Sequence, residues 1–265
     1  MNNKLREFKN NLTFAKICEY GAFIYMLLLI VFVVFLNILR ASNYVEFDEA
    51  KLYRHAIEMW NNRSFIIPDW DYISTMELDC SLLLALPIYG VTHNIYLSFG
   101  IANLIFLFLF LFVIWDILRK MKVKTIYKYF VMILFLLPYR IGMLEYLNMM
   151  FFNGSQYVVK VLVPMLLIDL FLEDKLFNIK NMIILALFAV LMTITSMSSG
   201  TYVFISGVFP VIFIVSLMSF FTFLGSLFII SFVSFFTATF CLFFLVTVLF
   251  FVLAIQSTSF KNYNK

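Results

Sequence analysis

Long apolar segments constrain the fold of this chain more than any other feature. Residues 201–255 contain no charged residue, apolar runs recur upstream, and 64% of the chain is hydrophobic. About 20 apolar residues in one helix cross roughly 30 Å of hydrocarbon, whereas membrane β-barrels show short segments of alternating polarity. We therefore predict an all-α fold, a polytopic helical membrane protein with about six to eight transmembrane helices.

Charged residues beside the apolar runs predict the orientation. Basic residues precede the first predicted span (residues 20–39) and follow the next one (95–118), whereas acidic residues outnumber basic ones in residues 41–81. Basic loops stay on the cytoplasmic side of a membrane. We predict a single multi-pass membrane domain over residues 1–265, in a plasma membrane, with a cytoplasmic N-terminus (1–19), an extracytoplasmic loop (41–81) and a cytoplasmic basic loop (119–128).

The remaining apolar runs are shorter or interrupted. Residues 82–91 contain Pro87 and Gly90 and are too short to cross a membrane, which favours an interfacial or re-entrant helix. A span that begins at residue 129 is interrupted at Pro138. Further crossings are predicted at 157–172 and 182–195, and the uncharged C-terminal stretch holds two long spans or three short ones, with a turn near Gly225.

The net charge of +4 does not indicate a nucleic-acid partner, because the basic residues lie mostly beside predicted spans. The three cysteines fall in three different predicted compartments and support neither a disulfide nor a zinc site. His55 and His93 are isolated in the sequence, and we interpret them as surface or interfacial residues. The bilayer is the one partner that composition predicts.

The extracytoplasmic loop opens with a charged stretch, FDEAKLYRHAIEMW. Leu52, Tyr53, Ala56 and Trp60 recur at helical spacing, which predicts an amphipathic helix over residues 49–61 that lies along the membrane, with these side chains facing lipid or neighbouring spans. One interpretation makes Asp48 the N-cap and Glu49 the first helical residue. On that interpretation Asp48 and Glu49 only stabilise the start of the helix.

A second interpretation comes from the order of features. A first span is followed by Asp-Glu-Ala-x-x-Tyr from Asp48, then Pro68, Trp70 and Asp79, then a leucine-rich run with a proline. Over residues 18–120 this order resembles the polyprenol-phosphate-sugar-dependent glycosyltransferases of the GT-C fold, in the branch of the protein O-mannosyltransferases and aminoarabinose transferases. Cys80 and Ser81 stand where that family has a basic residue and a proline. Such enzymes usually have about twice as many residues, so we expect the chain to be a fragment, a truncated reading frame or a minimal relative, and to be inactive on its own if it is incomplete.

The resemblance implies an enzyme that transfers a sugar from a polyprenyl-phosphate-linked donor to an unknown acceptor at the extracytoplasmic face. Asp48 is then the general base or a ligand of a divalent ion (Mg²⁺ or Mn²⁺), and Glu49 supports it. A cation must offset the charge of the leaving phosphate, and a second acid is expected on the next outer loop. The substrate-binding candidates are Arg54, Arg63, Arg140, Glu145 and Lys160.

Two other classes of protein stay open. A transporter would carry ionisable residues near the bilayer midplane or paired broken helices in two halves of the chain. A non-catalytic membrane subunit of a cell-envelope assembly system would use the charged loop helix as a docking surface.

Overall fold

The computed structural model describes residues 2–68, 70, 72, 76–139, 144–173, 178–199 and 203–224, with side chains described from residue 14 to residue 217. Arg140 and the predicted turn near Gly225 lie outside these residues. Every regular element in the described part of the chain is a helix, which confirms the all-α class.

Nine α-helices follow one another in the described ranges, and short π- and 3₁₀-helical turns extend two of them. The first helix continues through a π-helical turn, Leu36–Arg40, and a 3₁₀ turn, Ala41–Asn43; a π-helical turn, Phe204–Val208, leads into the ninth. The α-helices are α1 (Asn2–Phe35), α2 (Phe47–Asn62), α3 (Leu82–Thr92), α4 (Ile95–Lys120), α5 (Thr125–Leu136), α6 (Glu145–Met150), α7 (Val158–Phe171), α8 (Ile179–Ser198) and α9 (Phe209–Leu224).

Three stretches in the described residues are long and apolar enough to cross a membrane: Phe14–Asn43, Ile95–Lys120 and Ile179–Ser198. Each contains a span that the sequence predicts. Helices α5 and α7 occupy two other predicted spans but are shorter, and α3 is the short helix predicted for residues 82–91. The total of six to eight spans therefore stays a prediction.

Local sequence explains where several helices begin and end. The Asn94 side chain accepts a hydrogen bond from the Leu97 N–H at 3.1 Å and caps α4. Helix α5 ends at Leu136, two residues before Pro138, as the predicted interruption requires. Helix α3 keeps Pro87 inside it.

The chain divides into two compact units, residues 1–212 and residues 213–265, and each unit is described by itself. In the first unit, a large apolar core lies between α1, α4, α5 and α7. A smaller one joins α2, α3 and the start of α4. In the second unit, the described residues 213–224 continue α9.

The first unit has two ends, set by α4, whose 26 residues span about 39 Å. Helices α2 and α3 pack at its Asn94 end, which we call the loop end. Arg119 and Lys120 mark the opposite end, which we call the basic end.

Candidate functional site

Helix α2 presents Asp48 without using it as a cap. The helix begins at Phe47, one residue before Asp48, and the Glu46 N–H donates to Glu49 Oε2 at 3.0 Å. The interpretation of Asp48 as N-cap is therefore wrong, because Glu46 and Glu49 supply the residues at the N-cap and third helical positions. Asp48 is exposed in the first turn. No hydrogen bond or ion pair joins its carboxylate to another described residue.

Glu49 lies beneath this exposed carboxylate and is 7% exposed. Its side chain packs against Gly154 of the loop between α6 and α7, where a Cβ would lie 3.7 Å from Glu49 Cγ. Burial raises the pKa of Glu49, and the hydrogen bond from the Glu46 N–H only partly offsets this. Glu49 therefore serves the start of the helix and its packing, and its predicted support of Asp48 stays a prediction.

The apolar face of α2 packs on protein. Leu52, Tyr53 and Ala56 are buried against α3 and the start of α4, and the Tyr53 hydroxyl donates to Asn153 Oδ1 at 3.3 Å. Trp60 is 43% exposed, yet its ring lies directly over Gly90 of α3. The predicted helix is confirmed, with neighbouring helices as the partners of its apolar face, and its position along the membrane stays a prediction.

Among the described residues, none of the other predicted site residues pairs with Asp48. Arg54 and Arg63 are exposed, and Arg63 ends α2 with a left-handed backbone (φ 50°). Glu145 is half-buried at the first position of α6. No ion pair between described residues joins Asp48 to Arg54, Arg63 or Lys160.

Lys160 contacts an acid that the site prediction did not include. Its Nζ lies 3.6 Å from Oδ2 of Asp79, which is 1% exposed. Ser198 donates to Asp79 Oδ1 at 2.7 Å, and Ser199 donates to Oδ2. The Leu78 N–H donates to Ser198 Oγ at 2.9 Å. Asp79 thus ties the segment before α3 to α7 and to the end of α8.

His55 is also a correction, because it is fully buried rather than a surface residue. Its ring stacks on Trp70 with centroids 4.6 Å apart, and Nε2 lies 3.4 Å from the Tyr72 hydroxyl. Nδ1 lies 4.0 Å from Glu77 Oε2, and Lys51 pairs with the other Glu77 oxygen at 3.3 Å. Desolvation, and secondarily the charge of Lys51, lower the pKa of His55 to about 4.

Buried amides join α1, α4 and the loop after α6. Asn103 Nδ2 donates to Asn37 Oδ1 at 2.9 Å and to the Asn153 carbonyl at 2.8 Å. Asn37 Nδ2 donates to the Phe151 carbonyl at 2.8 Å, and Ser155 donates to Asn103 Oδ1 at 2.8 Å. Because each amide finds partners, this network has a structural role and fixes the helices at the loop end.

A separate network of ion pairs lies at the basic end. Lys120 Nζ lies 3.2 Å from Asp116 Oδ2, 3.0 Å from Asp169 Oδ1 and 3.0 Å from Glu173 Oε2. Asp116 and Asp169 are buried, and Lys180 of α8 also pairs with Asp116. The network joins α4, α7 and α8, and its opposite charges are mutually paired.

The donor set for a metal is incomplete. No group of three or more His, Cys, Asp or Glu side chains in the described part of the chain could hold a metal ion. Asp48 alone does not form a site for Mg²⁺, which needs further oxygen ligands. The divalent ion stays a prediction, and the function proposed below uses no step through a metal.

Comparisons with protein-family models, curated protein sequences and solved structures find no match to this chain. Membership of the GT-C glycosyltransferases therefore stays a prediction.

Proposed function

We propose that this protein is a membrane glycosyltransferase that transfers a sugar from a polyprenyl-phosphate-linked donor at the extracytoplasmic face. The proposal includes six to eight spans in a plasma membrane, with the loop end outside. In the transfer, an acceptor hydroxyl oxygen forms a bond to the anomeric carbon. The bond from that carbon to the phosphate oxygen breaks, and the lipid phosphate leaves with the electron pair.

Asp48 is the proposed general base, which takes the proton of the acceptor hydroxyl. The observation that carries the proposal is that Asp48 is exposed and unpaired among the described residues, on a helix that does not need it as a cap. A carboxylate used only for capping would accept hydrogen bonds from the first turn. The buried face of α2 holds Asp48 in place, which suits a residue that must meet a reacting atom.

The remaining candidates take supporting roles in the proposal. Arg54, Arg63, Arg140 and Lys160 are the cations available to the leaving phosphate, and Glu145 is the second acid. Lys160 has a structural connection toward α2, because the segment 76–80 contributes Glu77 to Lys51 of α2 and Asp79 to Lys160 of α7.

The test is sugar transfer in proteoliposomes. The purified chain is supplied with a panel of radiolabelled undecaprenyl-phosphate sugars and with a cell-envelope extract as the source of acceptor hydroxyls, and loss of label from the lipid fraction is measured. Asp48→Asn and Asp48→Ala should both lower the rate by roughly 10²- to 10⁴-fold, because a general base is lost. Both variants should keep the thermal stability of the parent.

Glu49→Ala is the matched control in the same helical turn. It removes the acceptor of the Glu46 N–H, so we expect a loss of about 0.5–2 kcal/mol in stability. Full transfer by Asp48→Asn would show that Asp48 is not the base. A parent protein that releases sugar from none of the donors would overturn the proposed function.

A further inference from the structure

The Asp79 carboxylate occupies an unusual position for a buried charge. It lies at the C-terminal end of α8, where the helix dipole is negative, and it accepts hydrogen bonds from Ser198 and Ser199 of that end. A buried carboxylate in this place needs a cation nearby. Lys160 is the described cation that lies against it.

The ion pair between Lys160 and Asp79 is long. Charge-assisted N–H···O bonds are about 2.7–2.9 Å long, whereas Lys160 Nζ lies 3.6 Å from Asp79 Oδ2. An ammonium group has three N–H donors, and the side chain of Lys160 is 17% exposed while that of Asp79 is 2% exposed. The ammonium therefore has N–H donors left for a second anion while it stays beside Asp79.

The position of Lys160 favours an anion carried by a lipid. Lys160 is the third residue of the apolar helix α7, and its ammonium lies 5.0 Å from the ring centroid of Tyr157. A lysine and a tyrosine at the start of an apolar helix lie where lipid phosphates lie in a bilayer. A flexible ammonium also binds phosphate as a point charge, without the fixed geometry of a guanidinium.

We propose that Lys160 binds the phosphate of a prenyl-phosphate lipid with its remaining N–H donors, and that Asp79 stays beside the ammonium and positions it for the phosphate. The inference rests on the proposed function, since it assigns the phosphate contact to one of several candidate cations. Asp79, which the site prediction had not included, keeps the ammonium near its site when no lipid is bound.

The test measures binding of farnesyl phosphate, farnesol and inorganic phosphate to the purified full chain in nanodiscs. The readout is the ratio of the affinity for farnesyl phosphate to the affinity for farnesol, because general loss of packing would weaken both ligands alike. Lys160→Gln should lower this ratio by about 10-fold or more, the loss expected for one charged hydrogen bond, and Lys160→Arg should keep most of it. Asp79→Asn should keep or raise the ratio, since it removes a negative charge next to the phosphate and leaves the ammonium in place.

Lys51→Gln is the matched control, because Lys51 is equally exposed at 17% and is paired with an acid, Glu77. We expect its ratio to equal that of the parent. An unchanged ratio in Lys160→Gln overturns the inference even if the parent transfers sugar. A ratio that falls as far in Asp79→Asn as in Lys160→Gln also overturns it, because the pair then acts only as a structural unit.

The three probes distinguish a lipid phosphate from free inorganic phosphate. Together with the transfer assay they also distinguish failure of the phosphate site from failure of the proposed enzyme. Tighter binding of inorganic phosphate than of farnesyl phosphate would overturn a lipid ligand. A phosphate preference that depends on Lys160 in a chain that transfers no sugar supports the phosphate site and overturns the proposed enzyme.

Discussion

At the scale of single residues, the loop end depends on polar groups buried between apolar helices. Asn103 of α4 contacts Asn37 in the π-helical turn after α1 and the Asn153 carbonyl of the loop after α6. Gly100 lies one turn before Asn103 and lets the two helices approach, since a Cβ there would overlap the Asn37 carbonyl oxygen. Polar groups within a membrane need such internal partners. The close approach at Gly100 brings Asn37 within hydrogen-bonding distance of Asn103.

We predict that Gly100→Ala is strongly destabilising. The added Cβ meets backbone, which cannot rotate away, so α1 and α4 must separate at the cost of about 1–3 kcal/mol or more. Thermal unfolding in detergent measures the effect. Gly21→Ala in α1 is the matched control, since nothing lies within 4 Å of its Cβ position, and it should be neutral or slightly stabilising. Equal unfolding temperatures for the two variants would contradict this account of the helix contact.

At the scale of elements, the described residues after α2, which are 64–68, 70, 72 and 76–78, lie over one side of that helix. They cover His55 with Trp70 and Tyr72 and bring Glu77 to Lys51. Three buried polar atoms of this cluster, His55 Nδ1, Trp70 Nε1 and Glu77 Oε2, have no hydrogen-bond partner among the described residues. Such unsatisfied groups weaken the packing of the segment on α2.

We predict that acid loosens this covering segment. Burial lowers the pKa of His55 to about 4 from its usual 6.5, so protonation favours the form in which His55 is exposed. The covered form is fully favoured above pH 6.5 and loses stability progressively as the pH falls toward 4, by on the order of 100-fold in the ratio of covered to uncovered forms. Lys51 opposes protonation of His55 and Glu77 favours it, and the lowered pKa reflects burial first.

Fluorescence of Trp70 measures this opening when Trp60 and Trp115 are replaced by Phe. We expect the emission to shift to longer wavelength between pH 6.5 and pH 4. In His55→Gln, which cannot take up a proton, the emission should not depend on pH in this range. A shift of the same size in His55→Gln would assign the change to another group.

The elements were largely predictable from local sequence, and the site was not. Apolar spacing identified α2, and Pro138 identified the end of α5, because both signals lie within a few residues of the structure they determine. Asp79 and Ser198 are far apart in the chain, and their contact depends on how α8 packs. The segment that buries His55 likewise has no periodicity of its own. The charges of these residues were visible, but their partners were not.

At the scale of the whole molecule, charge is separated between the two ends of the first unit. The loop end has exposed Asp48 and the Asp79–Lys160 pair, and the basic end has the network around Lys120. Buried acids at the basic end are paired within the protein, which suits a structural role for that network. The glycosyltransferase account requires the loop end to face outward, where lipid-linked sugars are presented to it.

Cysteine labelling in intact cells tests this central requirement most directly. In a background without the three native cysteines, Asn61→Cys at the loop end and Lys124→Cys at the basic end are both on exposed positions. The account predicts that a membrane-impermeant maleimide labels Asn61→Cys in intact cells and labels Lys124→Cys only after the cells are permeabilised. Labelling of Lys124→Cys but not of Asn61→Cys in intact cells would place Asp48 on the cytoplasmic side and contradict the account.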